Sequence, residues 1–439
     1  MTHRVAIIGG YGGMGKFFAE LFKREKFNVV ISGPSESEGE KTAKKLGVEY
    51  KRENVEAVRD ADIVMISVPI DVTLDVIRRV APHVKENSLL MDVTSVKEKP
   101  CKEMKKYAKK GVEIIGTHPI FSHRVNRLEG QVFVLTPIRA KRWLSWLREF
   151  LKKHRVRVFE TTPEEHDRVM AVVQGLTHFA YIAVGKTLKE IDFDIKESRK
   201  FSSPVYELML DMIGRIIGQN PKLYASIQME NPRIPEIHDV FLKTVRELRE
   251  IVKSRDKDRF MEMMKDAARH FDDVEGAMGR SDKAIFSLIS ELDRLKSYIG
   301  REVCLRHIYS GRIHLGIIRS VTPESVVLEN SGRSELKLSN IQILDDNERI
   351  RYKTERFGTA SRDFSVILDI GVDENFISEL LKDYDENFIS VKIKDVYSGK
   401  QIGTEKKSVC FGVNIINNNL KESEKKIKKF FDRIGGRLR

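Results

Sequence analysis

Cysteine is scarce in this chain: three among 439 residues, at positions 101, 304 and 410, with no CxxC spacing. Isolated thiols build neither a disulfide framework nor a zinc site, so no metal is expected and a reducing cytoplasm is. No apolar run reaches the roughly 20 residues of a membrane span, and the polar residues after Met1 show no signal-peptide pattern. No membrane partner is therefore expected. The 12 prolines and 28 glycines are too few and too scattered for a collagen-like or low-complexity chain. What is present is globular in kind, with 41% hydrophobic and 33% charged residues. The length exceeds one ordinary core and predicts roughly two to four domains. The net charge of +13 is compatible with nucleic acid. Only about +4 of it falls after residue 298, however, and a basic surface attracts small anions equally well.

From the N-terminus, near-continuous Val/Ile/Leu runs at 5–8, 29–31, 63–68, 89–92, 112–115 and 132–135 alternate with amphipathic stretches such as 16–26 and 100–110. That alternation predicts a parallel, doubly wound α/β sheet of Rossmann type over residues 1–160. Helical periodicity alone follows over 161–299. Thr162-Pro163-Glu164-Glu165 is a helix start, with a capping Thr, Pro at the first turn and Glu at the capping-box site. Ser203-Pro204 opens another helix, and Pro232 and Pro235 precede a third at 237–254. Residues 300–350 read as short strands (302–308, 316–321, 325–328, 336–344) in a small β-barrel, with a polar linker at 345–360. Residues 361–439 read as βαββα, with strands at 363–370, 388–395 and 408–415 and helices at 374–384 and 421–434. This is a ferredoxin-like α+β order.

The chemistry starts at Val5-Ala6-Ile7-Ile8-Gly9-Gly10-Tyr11-Gly12-Gly13-Met14-Gly15, where Gly10, Gly12 and Gly15 have GxGxxG spacing between a buried strand and an amphipathic helix. In that context Gly10 permits the tight turn, Gly12 admits a pyrophosphate and Gly15 packs helix on strand. Tyr11, Gly13 and Met14 complete the loop. The cofactor is therefore NAD or NADP. The second strand ends Ile31-Ser32-Gly33-Pro34-Ser35 without the acid that binds the ribose of NAD. Its absence tilts the reading toward NADP, with Ser32 and Ser35 as donors.

Dehydrogenation of a hydroxyl needs a base at the carbinol and a cation for each substrate carboxylate. Asp92-Val93-Thr94-Ser95-Val96-Lys97 and Gly116-Thr117-His118-Pro119 both follow strands at the sheet's C-terminal edge. His118, preceding a proline, is expected on a rigid extended loop as the base. The apolar helix 204–219 should be buried. Arg215 within it then needs an anion, supplied by Asp211 one turn earlier, by substrate, or by both.

The strings Ser202-Ser203-Pro204-Val205-Tyr206, Met212-Ile213-Gly214-Arg215, Gln219-Asn220-Pro221 and Gln174-Gly175-Leu176-Thr177-His178-Phe179-Ala180 resemble the prephenate dehydrogenases. So do His166-Asp167, Asp92–Lys97 and His118-Pro119-Ile120-Phe121. The likeness covers roughly residues 3–275 and is nearest to the dehydrogenase half of the bifunctional chorismate mutase–prephenate dehydrogenases. It implies oxidative decarboxylation of prephenate to 4-hydroxyphenylpyruvate, toward tyrosine, by a homodimer joined through the helical domain. It further implies His118 as hydrogen-bond acceptor for the ring hydroxyl and Ser95 as a hydrogen-bonding residue beside it. Arg215 would bind a carboxylate, Lys97 and His178 would shape the substrate site, and His166 matches a further family histidine. The chain departs from the pattern at Glu207, where the nearest relatives carry arginine, and has no mutase segment.

A second enzyme reading, arogenate dehydrogenase, differs only in an amine replacing the side-chain ketone. A 6-phosphogluconate-type hydroxyacid dehydrogenase would carry a GxxxK lysine where this chain has Gly175-Leu176-Thr177-His178-Phe179. Separately, Arg362-Asp363-Phe364, Asp395–Gly403 and Gly436-Arg437-Leu438-Arg439 resemble the ferredoxin-fold anticodon-binding domain of the phenylalanyl-tRNA synthetase β subunit. That likeness implies tRNA or an aromatic amino-acid effector as partner. It also keeps open an RNA-binding module on a dehydrogenase scaffold.

Overall fold

The computed structural model describes residues 3–125, 127–330, 332–399 and 401–439. It divides into two compact units, Met1–Ser281 and Asp282–Arg439. In the first, eight strands form one sheet: β1 Arg4–Ile8, β2 Asn28–Ser32, β3 Glu49–Lys51, β4 Ile63–Ile66, β5 Leu89–Asp92, β6 Glu113–Pro119, β7 Val132–Arg139 and β8 Arg157–Glu160. Their order is β3-β2-β1-β4-β5-β6-β7-β8. The chain leaves β1 toward β2 on one side and resumes at β4 on the other. A crevice therefore opens beyond the carboxyl ends of β1 and β4, where such sheets bind ligands. Apolar side chains cover both faces. Phe18, Phe22, Trp143 and Leu147 pack on one, and Val58, Ile77, Val80 and Met104 on the other.

The sheet departs from the expected all-parallel form, because β6 and β7 pair antiparallel. The 12-residue segment between them, 120–131, holds no helix among its described residues, so it turns the chain back on itself instead of forming the helical crossover that a parallel return uses. This pairing extends β6 through His118 and Pro119. His118 thus lies in a strand, opposite Val134, and not on the expected loop.

Helices follow from Pro163 to Ser297. Both expected caps form: Thr162 accepts from the Glu165 N–H and Ser203 from the Tyr206 N–H. Residues Ala171–Leu176 form a π-helical turn between Pro163–Met170 and Thr177–Glu190. Contrary to the sequence reading, the run Pro163–Glu190 is long and apolar enough to cross a membrane by composition. It nevertheless carries His166 and Asp167, both buried, with the Asp167 carboxylate bonded to backbone of the α/β region. Helix Pro204–Ile217 buries only Leu210 and Ile213 in the single chain, and Arg215 is exposed, against expectation. Nor does Asp211 pair with it; Asp211 bonds Arg199 at 3.1 Å, and Arg199 also pairs with Glu207.

In the second unit, β9 Glu302–His307, β10 Ile313–Val321, β11 Ser325–Glu329, β12 Arg333–Lys337 and β13 Ile341–Ile343 form an open sheet, β12-β11-β10-β9-β13. Among the described residues β12 and β13 do not pair, so the expected barrel does not close. The expected linker is a helix, Asp346–Phe357, whose polar composition hid it. Asp345 caps it by accepting from the Glu348 N–H, and its buried Lys353 bonds Asn387 Oδ1 at 2.6 Å and the Glu302 carboxylate. This helix therefore ties the five-stranded sheet to the last one. There β14 Thr359–Asp369, β15 Phe388–Tyr397, β16 Lys406–Ile416 and β17 Arg437–Leu438 run antiparallel in the order β15-β16-β14-β17, the ferredoxin-like arrangement.

Candidate active site

The glycine loop turns at the carboxyl end of β1. Gly9, not Gly10, makes the left-handed turn (φ 81°), and its N–H donates to Ser32 O at 2.7 Å. A Cβ on Gly15 would lie 2.3 Å from Gly9 O, so only glycine lets the helix Gly13–Arg24 start this close to the strand. Gly12 precedes that helix without a side-chain cap, leaving its first N–H groups free for an anion. These features fit a dinucleotide pyrophosphate. Tyr11 lies across the end of β2: its ring packs on Gly33 and its hydroxyl accepts from the Ser35 N–H at 3.0 Å. Met14 packs on the core, and His123 lies against Gly13. Ser32 is fully buried and its hydroxyl donates to Asn54 Oδ1, so it faces inward and is not the free donor expected from sequence.

Beyond β5 and β6 a polar chain crosses from the sheet to the helices. His118 Nδ1 lies 2.9 Å from His166 Nε2, and His166 Nδ1 lies 2.7 Å from Asp167 Oδ1. A carboxylate only accepts, so His166 carries its proton on Nδ1 and accepts on Nε2. His118 must then donate from Nδ1, which places the lone pair on His118 Nε2. That is the form an acceptor or base requires. Burial drives the His118 pKa well below the usual histidine value, assisted by His166 and Lys97. Burial likewise lowers His166, against the opposing pull of Asp167. Both imidazoles are accordingly neutral near pH 7.

Asp167 also accepts from the backbone N–H groups of Lys97 (2.7 Å) and Glu98 (2.9 Å), capping the helix Glu98–Tyr107 from another part of the chain. Lys97 is wholly buried; it pairs with Asp92 and donates to Thr117 O at 2.8 Å. It is thus held beneath the site, one strand residue from His118. Ser95 is half-buried in the loop between Asp92 and Lys97. Cys101 below is inert, its thiol pushed up to about 12 by burial.

The helical wall supplies His178, whose ring packs on Tyr224 at 4.5 Å and whose pKa burial lowers. Its Nδ1 and Gln174 Oε1, one turn apart, are buried without a hydrogen-bond partner among the described residues. Orphaned polar atoms converging at a π-helical turn are a ligand-site feature. Arg215 stands close enough to Tyr224 to depress its pKa against the rise from burial, so it closes the row His178–Tyr224–Arg215. The fold brings His118, Ser95, Lys97 and His166 together, with His178 and Arg215 on the helical wall. Sequence reasoning missed Gly9, Asp92, Asp167, Gln174 and Tyr224 as site residues. Buried acids beside a lysine and a histidine were the available signal for Asp92 and Asp167. Among the described residues no cluster suits a metal ion.

Residues 18–160 match the family described as prephenate dehydrogenase, nucleotide-binding domain, and residues 162–266 match its dimerization domain. The probable arogenate/prephenate dehydrogenase of Methanocaldococcus jannaschii is 43% identical over 441 residues, covering 99% of this chain and 98% of that one. The chain belongs to the prephenate/arogenate dehydrogenase family. The T-protein of Haemophilus influenzae is 28% identical over 290 residues, 66% of this chain and 73% of its own. The crystal structure of Aquifex aeolicus prephenate dehydrogenase in complex with hydroxyphenyl propionate and NAD+ has a similar fold, with TM-score 0.52 at 24% identity. It covers 62% of this chain and 97% of that one. Residues 356–439 match the ferredoxin-fold anticodon binding domain, as the C-terminal resemblance implied.

Proposed function

We propose that this family member oxidatively decarboxylates prephenate to 4-hydroxyphenylpyruvate for tyrosine synthesis. The observation that carries this reading is the chain His118–His166–Asp167, which leaves His118 Nε2 as a buried acceptor near the C-terminal end of β6, in the same sheet whose β1 leads into the glycine loop. The glycine loop around Gly10, Gly12 and Gly15 would hold the dinucleotide, and its nicotinamide would supply the acceptor for the hydride on the ring carbon bearing the hydroxyl. His118 accepts the hydrogen bond of that hydroxyl and draws electron density toward the departing hydride, and Ser95 hydrogen-bonds the same region. Arg215 and His178 hold substrate carboxylates. Lys97 and His166 act from beneath, by fixing the β5 loop and the His118 tautomer. Loss of the ring carboxylate as CO2 then restores aromaticity.

Arogenate remains the second substrate reading, because the name of the M. jannaschii relative couples both acids. The deciding experiment is a spectrophotometric assay of each acid with NAD and with NADP. Turnover of arogenate alone would overturn the prephenate assignment. For the cofactor, we favour NADP: the β2–β3 pairing brings Arg52 beside the end of β2, where it makes a loose 3.5 Å pair with Glu36. This cation can receive a 2′-phosphate in place of the buried Ser32. A marked preference for NAD would refute it.

The exposed apolar residues of the helical region, including Val205, Met212, Ile217 and Met229, support a homodimer through that region. The division at 1–160, 161–299, 300–350 and 361–439 serves as a working domain map, with residues 300–439 as an appended module for tRNA or an aromatic effector. If the chain were instead an RNA-binding module, tRNA binding would fall steeply with salt and neither acid would be oxidised.

A further inference from the structure

A cavity of about 330 Å³ lies at the edge of the nucleotide-binding region, formed by the second half of the helix Gly13–Arg24, the 127–129 segment and the 153–155 turn. Its floor is apolar, from Phe17, Leu21 and Leu128. Its rim is basic. Lys153 pairs with Glu25 and Arg155 with Glu129 (2.7 Å), whereas Arg24 and Arg127 make no ion pair or side-chain hydrogen bond among the described residues. Arg24 ends a helix, where the dipole alone accounts for a cation. Arg127 lies in a loop two residues from Glu129, on which it acts only weakly: Arg155 is the cation bonded to that carboxylate, and Arg127 contributes at longer range. Arg155 holds a left-handed backbone (φ 54°) just after the helix Arg142–Lys153, a position that glycine fills more cheaply.

We propose that this cavity binds a small aromatic carboxylate, its ring on Phe17, Leu21 and Leu128 and its carboxylate between Arg24 and Arg127. The volume suits one ring with a short acid arm, and lining guanidinium groups outside any ion pair suit a carboxylate. The site is separate from the reaction centre but joined to it. Phe17 packs edge-on against Phe121 at 5.8 Å, three residues after His118, and His123 in the same segment lies against Gly13 of the cofactor loop. Occupancy should therefore change the KM for the nicotinamide cofactor.

The test is calorimetric titration of phenylacetate into the full-length protein, wild type and an Arg24→Ala/Arg127→Ala double variant, with inorganic phosphate as a second probe. In the wild type, phenylacetate should bind at a site that prephenate does not displace. In the double variant that binding should weaken about tenfold or more, while kcat and the KM for prephenate stay unchanged. Phosphate alone should bind more weakly, since it cannot use the apolar floor. The proposal is overturned if phenylacetate binding is the same in the double variant, if prephenate displaces all of it, or if phosphate binds as tightly.

Discussion

The replacement His118→Asn tests the reaction centre with little disturbance to the fold. Asparagine can still donate from Nδ2 to His166 Nε2, so the bond now 2.9 Å long has a replacement and the strand pairing is untouched. What disappears is the ring nitrogen whose lone pair the proposed reaction uses, for an amide oxygen is a feeble base. Proton-accepting groups of this kind contribute about 10²- to 10⁴-fold, or roughly 3–5 kcal/mol of barrier. The expected result is a fall in kcat of that size with the KM for prephenate changed less than about threefold, because the interaction operates mainly in the transition state. Initial rates of reduced-cofactor formation measure it. The pH profile adds a second readout. In the wild type, kcat/KM should decline on the acid side only below the usual histidine range, since burial lowers the His118 pKa. That limb should vanish in the variant. A loss of less than tenfold, or an unchanged acid limb, would refute the assignment.

Lys97→Met should destabilise the protein by about 3–5 kcal/mol, because it strands the buried Asp92 carboxylate, whose Oδ1 already lacks a partner. Denaturant titration reads this, and a change under 1 kcal/mol would mean that the pair contributes no more than a surface ion pair. Arg215→Ala should raise the KM for substrate by about tenfold to a hundredfold with a small change in kcat, which steady-state kinetics checks. Acid should weaken the fold through His118 and His166. Their native pKa values lie below the ordinary 6.5, so the unfolded chain takes up protons first as pH falls. Stability is then flat above 6.5 and drops below it by up to about 1.4 kcal/mol per pH unit for each histidine. Thermal melting at a series of pH values measures this; a melting temperature that rises on acidification would contradict it.

The local signals in the sequence were strong where each depends on neighbours along the chain. The glycine spacing, the Thr162 and Ser203 caps and the apolar runs of β1, β2, β4 and β5 depend on one segment's chemistry, and all are visible in order. They determined an α/β cofactor domain followed by helices and, with the motifs around His118 and Arg215, the family. Pairing between distant segments decided the rest. The antiparallel β7 carried His118 into a strand, and the register of β2 on β3 brought Arg52 to a loop that has no arginine of its own. A polar stretch around Lys353 became a buried tie once Glu302 and Asn387 could meet its ammonium. The exposure of Arg215 has the same origin: an apolar helix predicts burial but does not say which face is covered, and this one buries only Leu210 and Ile213. Most important, the lone pair on His118 Nε2 is set by Asp167, 49 residues away in sequence, through His166. Residue types named the candidate base, but only the folded hydrogen-bond chain could fix which of its nitrogens accepts.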